Sequence, residues 1–179
     1  MARATRPCQA RRMTDTGDQG PSTLRQLAGY LGAIAACEGV GALGAAVTVP
    51  AVKDWLPTLD QPSFQPPDWL FGPVWTVLYA MIGVSWRLTR LQPAGPARAS
   101  AERWLAVQLA LNALWSYLFF GRRRIDLALV DIVVLWVAIA LTVTRVWRLS
   151  PRAGLLLTPY LAWVSFAGVL NASLWRRNP

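Results

Sequence analysis

Five long apolar runs, parted by short stretches that carry most of the arginines, leave this chain few ways to fold outside a lipid bilayer. The runs cover 27–52, 69–86, 104–121, 127–144 and 153–175, and each is 18 to 26 residues long. About 20 helical residues at 1.5 Å rise cross the roughly 30 Å hydrocarbon core, and there every backbone N–H and C=O must be satisfied within the segment. The expected fold class is therefore all-α: an integral membrane bundle of five transmembrane helices at about 27–52, 69–86, 104–121, 127–147 and 153–175. Residues 27–179 form that domain. The polar, Arg-rich stretch 1–26 reads as a disordered tail, and the polar Thr14 to Ser22 stretch lacks the apolar core of a signal peptide. Pro57, Pro62, Pro66 and Pro67 make the 55–67 connection a loop.

Composition narrows the chemistry. Only 15% of residues are charged and 54% are hydrophobic, far from a soluble domain's balance. The chain has no His, and Cys8 and Cys37 form no CxxC spacing. A zinc site, a His general base and a disulfide framework thus lack their raw materials, so no metal site is expected. The net charge of +9 would suggest nucleic acid in a soluble chain, but here the arginines flank apolar runs. Lipid headgroups account for them, and no nucleic-acid partner is expected. The tail, the 87–103 connection and the 145–152 connection together hold 12 Lys and Arg, against six in the other exposed segments. That bias predicts the N-terminus on the positive, cytoplasmic side and the C-terminus opposite. Lys53 is the single lysine among 18 basic residues, a ratio that fits a GC-rich, bacterial genome.

Ten tryptophans carry the next step. Trp55, Trp69, Trp86, Trp104, Trp147 and Trp175 lie at run ends or in the first loop, where interfacial anchoring or loop packing explains them. Trp75, Trp115, Trp136 and Trp163 fall near the middles of four helices, below the reach of an interfacial belt. Core packing is one account of these four. The other is that several rings line one cavity for a flat, aromatic, apolar ligand. Helical spacing puts Trp75 and Tyr79 on one stripe with Trp86, Gln108, Asn112, Trp115 and Phe119 on another, and Tyr160, Trp163, Ala167 and Asn171 on a third.

An amide facing lipid costs a few kcal/mol, so Asn112 and Asn171 should face protein or a cavity, through an interhelical hydrogen bond or a ligand contact. Glu38 and Asp131 carry a similar penalty of roughly 2.5–3.5 kcal/mol at depth. Asp131, one turn into its helix, is expected near an interface, whereas Glu38 fits a structural hydrogen bond as well as a ligand role. Gly39, Gly41 and Gly44 spell G-x-G-x-x-G, but they sit inside an apolar helix with no strand before them. Close helix packing is the expected account.

Several segments together resemble a known family. Pro66-Pro67-Asp68-Trp69-Leu70-Phe71-Gly72-Pro73-Val74-Trp75-Thr76-Val77-Leu78-Tyr79, Leu111-Asn112-Ala113-Leu114-Trp115-Ser116, Phe119-Phe120-Gly121, Pro159-Tyr160-Leu161-Ala162-Trp163 and Leu170-Asn171 are similar to the signatures of the tryptophan-rich sensory protein or translocator protein family. The resemblance spans about 27–178 and implies a five-helix bundle, commonly a homodimer, that binds porphyrins such as protoporphyrin IX. Some members also bind sterols and benzodiazepine-site ligands. The resemblance implies that the 55–67 loop is a lid and that Phe71, Trp75, Tyr79, Asn112, Trp115, Phe119, Asp131, Trp163, Ala167 and Leu170 bind the ligand.

A receptor or sensor for tetrapyrroles is the first functional expectation, with porphyrin as ligand and no required cofactor. The second is an enzyme that degrades porphyrin with light and oxygen, its catalytic tryptophans placed at Trp75 and Trp163. A tetrapyrrole or sterol transporter is third, and no internal repeat or intramembrane charge chain supports it. Metal-free porphyrin is favoured, since no His offers an axial iron ligand. Two departures bear on specificity. Gln61 stands where the family often has Lys before Pro62. The positions where the sterol pattern needs Tyr hold Ala172 and Ser173, so sterol affinity is expected to be poor.

Overall fold

A computed structural model of the chain describes residues 23–178. Among these residues there is no strand, and five long helices account for most of them: α1 Thr23–Asp54, α2 Asp68–Arg90, α3 Pro96–Ser116, α4 Ile125–Leu149 and α5 Pro151–Arg177. All five are long and apolar enough to cross a membrane. A 3-10 turn, Leu56–Thr58, lies in the Pro-rich connection, and a π turn, Tyr117–Gly121, ends α3.

The helices outrun the apolar runs that predict them. α3 starts at Pro96 rather than 104, because Pro is pre-organised for the first helical position and the Ala-, Arg- and Glu-rich stretch after it favours helix. Hydropathy marks the part of a helix that meets hydrocarbon, and the polar turns continue into the headgroups. For the same reason α1 begins at Thr23, so residues 23–26 are its first turn and not part of a disordered tail. The rest of that tail, 1–22, lies outside the described residues.

Connections at the two ends differ in length. Ser150 alone joins α4 to α5, ending one helix and capping the next by accepting a bond from the Ala153 N–H at 3.3 Å. A Cβ on Gly154 would lie 2.9 Å from the Trp147 Cα, so this tight reversal needs glycine. Within α5, Pro159 cannot donate to the Leu155 carbonyl. The Thr158 hydroxyl donates to that oxygen instead, at 2.8 Å.

The helices close into a ring in the order α1, α2, α5, α4, α3, with α3 returning to α1. One end of the ring gathers Arg25, Arg87, Arg90, Arg98, Arg103, Arg145, Arg148 and Arg152, with Glu102 as the one acid there among the described residues. The opposite end mixes Lys53, Arg122 to Arg124, Arg176 and Arg177 with Asp54, Asp60, Asp68 and Asp126, and carries the Pro-rich loop. The centre of the arginine end is filled. Ile82, Leu105, Ile139, Val146 and Leu157 fill it, Ser85 Oγ donates to the Ala153 carbonyl at 2.8 Å, and Gly83 lets α2 touch the backbone of α1 at Ile34.

Candidate functional site

The loop end is hollow. A cavity of about 680 Å³ lies among α1, α2, α3 and α5, with Leu56 and Gln65 of the Pro-rich loop in its wall. Each wall follows from helical spacing. On α1, Glu38, Gly41, Ala45, Thr48 and Val52 recur every three or four residues and offer a face of mostly small side chains. Phe71, Trp75 and Tyr79 form the α2 wall, Asn112, Trp115 and Phe119 the α3 wall, and Trp163, Ala167 and Leu170 the α5 wall.

The rings support one another. Trp115 stacks on Phe119 at 5.1 Å and 25°, Phe71 meets Trp163 edge-on at 6.0 Å, and Trp75 sits 5.6 Å from Tyr79 and 6.2 Å from Tyr160. Four aromatic and amide side chains of the wall, Tyr79, Asn112, Trp115 and Asn171, are hydrogen-bonded to neighbouring helices. The Tyr79 hydroxyl donates to Asn112 Oδ1 at 2.5 Å, and Asn112 Nδ2 donates to the Tyr160 hydroxyl at 3.0 Å, joining α2, α3 and α5. Trp115 Nε1 donates to Asn171 Oδ1 at 3.1 Å, while Asn171 Nδ2 donates to the Ile125 carbonyl at 3.0 Å. Satisfied in this way, buried amides fix the ring orientations without an unpaired polar group. Interhelical hydrogen bonding therefore accounts for both asparagines, and each also lines the cavity.

The loop is pinned over the cavity by its own contacts. Asp60 N–H donates to Asn178 Oδ1 at 2.9 Å, Arg177 pairs with the Asp60 carboxylate at 3.4 Å, and Phe64 packs on Phe166 at 6.4 Å. Gln61 Nε2 donates to the Leu56 carbonyl at 2.8 Å, which closes the loop on itself. Gln65 Oε1 is buried and has no hydrogen-bond partner among the described residues. Charge is distributed along the cavity. Lys53 and Asp68 stand at the loop end, whereas Glu38 lies fifteen residues before Lys53 on α1, about 22 Å away along the helix axis. No three His, Cys, Asp or Glu side chains cluster among the described residues.

Nine of the ten candidate ligand residues line this cavity; Asp131 does not. It projects from α4, which contributes nothing to the wall. The Asp131 carboxyl is nearly buried in the bundle because the ring order places α4 behind α3 and α5, and its Oδ2 has no hydrogen-bond partner among the described residues. Trp75, Trp115 and Trp163 converge on the cavity, whereas Trp136, also on α4, is 42% exposed on the outside and donates to Ser165 Oγ at 2.8 Å. Trp86 shares a sequence stripe with Trp75 yet lies beyond the cavity, at the arginine end.

The α1 face was outside the candidate set. Its signal was available in the small-residue spacing: a Cβ on Gly41 would meet the Tyr79 ring at 2.6 Å, and one on Gly44 would meet Ser116 Oγ at 3.2 Å. Those two glycines do serve close packing, while Gly39 has nothing within 4 Å of its Cβ position.

Comparison with known proteins bears directly on this arrangement. The sequence profile of the TspO/MBR family matches residues 33–176. The chain is 42% identical over 149 residues to the tryptophan-rich protein TspO of Chlorobaculum tepidum, covering 82% of this chain and 93% of that one. Protein CrtK of Rhodobacter capsulatus is 37% identical over 145 residues, 80% of this chain and 89% of its own. The translocator protein of Homo sapiens is 40% identical over 126 residues, 69% of this chain and 75% of its own.

Proposed function

The chain belongs to the TspO/MBR family of multi-pass membrane proteins, and from that premise we propose that it is a membrane receptor or sensor that holds a porphyrin of the protoporphyrin IX type in the loop-end cavity. One observation carries the reading. Three indoles from three different helices, Trp75, Trp115 and Trp163, converge on a cavity of about 680 Å³, within the range of sites that bury small molecules. A wide π-system gains by leaving water and packing on indole and phenyl rings held at fixed angles. Rigid walls reduce the ordering cost of binding.

Lys53 at the loop end is the cation available to the propionates, so the macrocycle enters with its acidic edge towards the loop. The amide and hydroxyl groups of Asn112 and Tyr79 meet its inner edge. A second copy of the chain and surrounding lipid complete this reading, with the N-terminus and its arginine end on the cytoplasmic side.

A second reading, light- and oxygen-dependent degradation of the bound porphyrin, draws on the presence of both Trp75 and Trp163 in the wall. One experiment separates the two. Protoporphyrin IX is titrated into detergent-purified protein in the dark, with Trp quenching and the Soret band followed together, and the sample is then illuminated in air. The receptor reading expects saturable binding that weakens about tenfold in Trp75→Phe or Trp163→Phe, with a Soret band that survives light. Trp-dependent bleaching would instead support the enzyme, and absence of saturable binding would overturn the tetrapyrrole assignment.

A further inference from the structure

At the opposite end of the bundle, a second cleft of about 260 Å³ opens between α1 and α2, and its chemistry differs from that of the aromatic cavity. It is lined by Gly29, Gly32 and Ala33 of α1 and by Trp86, Arg87 and Arg90 of α2. We propose that this cleft binds a phosphate-bearing anion, with Arg87 as its central ligand.

Arg87 is short of acceptors. Among the described residues, its buried Nε has no hydrogen-bond partner and no carboxylate pairs with its guanidinium. Its described neighbour is the ring of Tyr30, with the guanidinium carbon 5.8 Å from the ring centroid. Arg90 is engaged elsewhere in part, 3.6 Å from Glu102 and 5.7 Å from the Trp86 centroid. A buried guanidinium donor without an acceptor is costly, and a phosphate oxygen supplies the matching planar, bidentate partner.

Space for that partner comes from α1. The Arg87 head lies directly over Gly29, where a Cβ would approach Nε at 2.6 Å and the guanidinium carbon at 2.8 Å. Gly32 has nothing within 4 Å of its Cβ position, so the cleft stays open beside the head. Depth fits as well. Arg87 stands three residues before the end of α2, about 5 Å along the axis, where headgroup phosphates lie and where basic clefts between membrane helices collect anionic lipid.

Two sources offer this chemistry: the headgroup of an anionic lipid and free phosphate. Both arms are tested on the full chain in neutral maltoside micelles. Dioleoyl phosphatidylglycerol and dioleoyl phosphatidylcholine are titrated separately, and retained lipid is counted by native mass spectrometry. A parallel set adds millimolar inorganic phosphate. The expected result is retention of phosphatidylglycerol at least fivefold above phosphatidylcholine. That preference falls at least fivefold in Arg87→Gln and also in Gly29→Ala, which displaces the guanidinium without removing its charge. Arg152→Gln, at the same end but outside the cleft, should retain the preference. Phosphate that displaces the lipid supports a site open to the free anion, and phosphate without effect supports the headgroup as source. Equal retention of the two lipids, or equal losses in Arg87→Gln and Arg152→Gln, would overturn the proposal, since a diffuse surface potential would then explain the binding. Gly29→Ala keeps the test meaningful if Arg87→Gln fails to fold.

Discussion

The same five helices enclose a filled centre at the arginine end, with a small cleft only between α1 and α2, and a hollow centre at the loop end, and the contrast lies in what stands between them. At the arginine end, small residues let backbones touch: Gly83 meets Ile34 and Gly154 meets Trp147, with aliphatic side chains filling what remains. At the loop end, rings stand in the walls and brace each other edge-on, as Phe71 does against Trp163 and Trp75 against Tyr160. Hydrogen-bonded amides tie Tyr79, Tyr160 and Trp115 back to the neighbouring helices. Glycines of both kinds occur at the loop end, where Gly41 lies against the Tyr79 ring and Gly72 faces open space, so what a glycine does depends on the partner residue more than on the glycine.

The strongest way to break this comparison is to exchange the two kinds of glycine. A Cβ at Gly83 would lie 2.6 Å from the Ile34 Cα, backbone that cannot move aside, so Gly83→Val should cost about 3 kcal/mol in thermal unfolding in detergent. Gly72, in the cavity wall with nothing within 4 Å, should accept Val with a change below about 0.5 kcal/mol while porphyrin affinity falls. Comparable stability losses at the two sites would refute the filled-and-hollow description.

Next in size is the amide that ties three helices together. Asn112→Ala leaves the hydroxyls of Tyr79 and Tyr160 without their partner, an expected loss of about 2 kcal/mol. A double-mutant cycle with Tyr79→Phe should show coupling of about 1 kcal/mol, and strictly additive losses would mean the bond does not hold the wall.

A smaller effect is expected at two mid-membrane tryptophans that look equivalent in the sequence. Trp115→Phe should weaken protoporphyrin IX binding about fivefold, since it removes both ring area and the bond to Asn171. Trp136→Phe, on the outer face, should leave affinity unchanged. Dark titrations of the two variants side by side decide the point. Smallest of all, Asp131→Asn should not alter porphyrin affinity, because α4 gives the cavity no residue. A measurable loss there would show that the site extends behind α3.

Much of this was legible beforehand. Apolar run length gives five helices, and the 3.6-residue period places Trp75 with Tyr79 and Asn112 with Trp115 and Phe119, because each side chain's direction follows from its position on a helix. The same period sets Trp163 with Ala167 on the fifth helix, and motif resemblance adds Phe71 and Leu170. Helix ends were missed where polar turns continue beyond the hydrocarbon, as at Thr23 and Pro96. The α1 wall was missed because Ala45, Thr48 and Val52 are unremarkable residues whose role is to be small opposite rings.

What the sequence determined by itself is everything local: helix, span, and which residues share a stripe on one helix. Ring order is different, because it depends on which stripes meet. That order set α4 behind α3 and α5, removing Asp131 and Trp136 from the cavity although their depth and chemistry matched those of residues that line it. Only the tertiary structure decided this, since a helix fixes the angle between its own side chains and carries no record of which neighbour each face will meet.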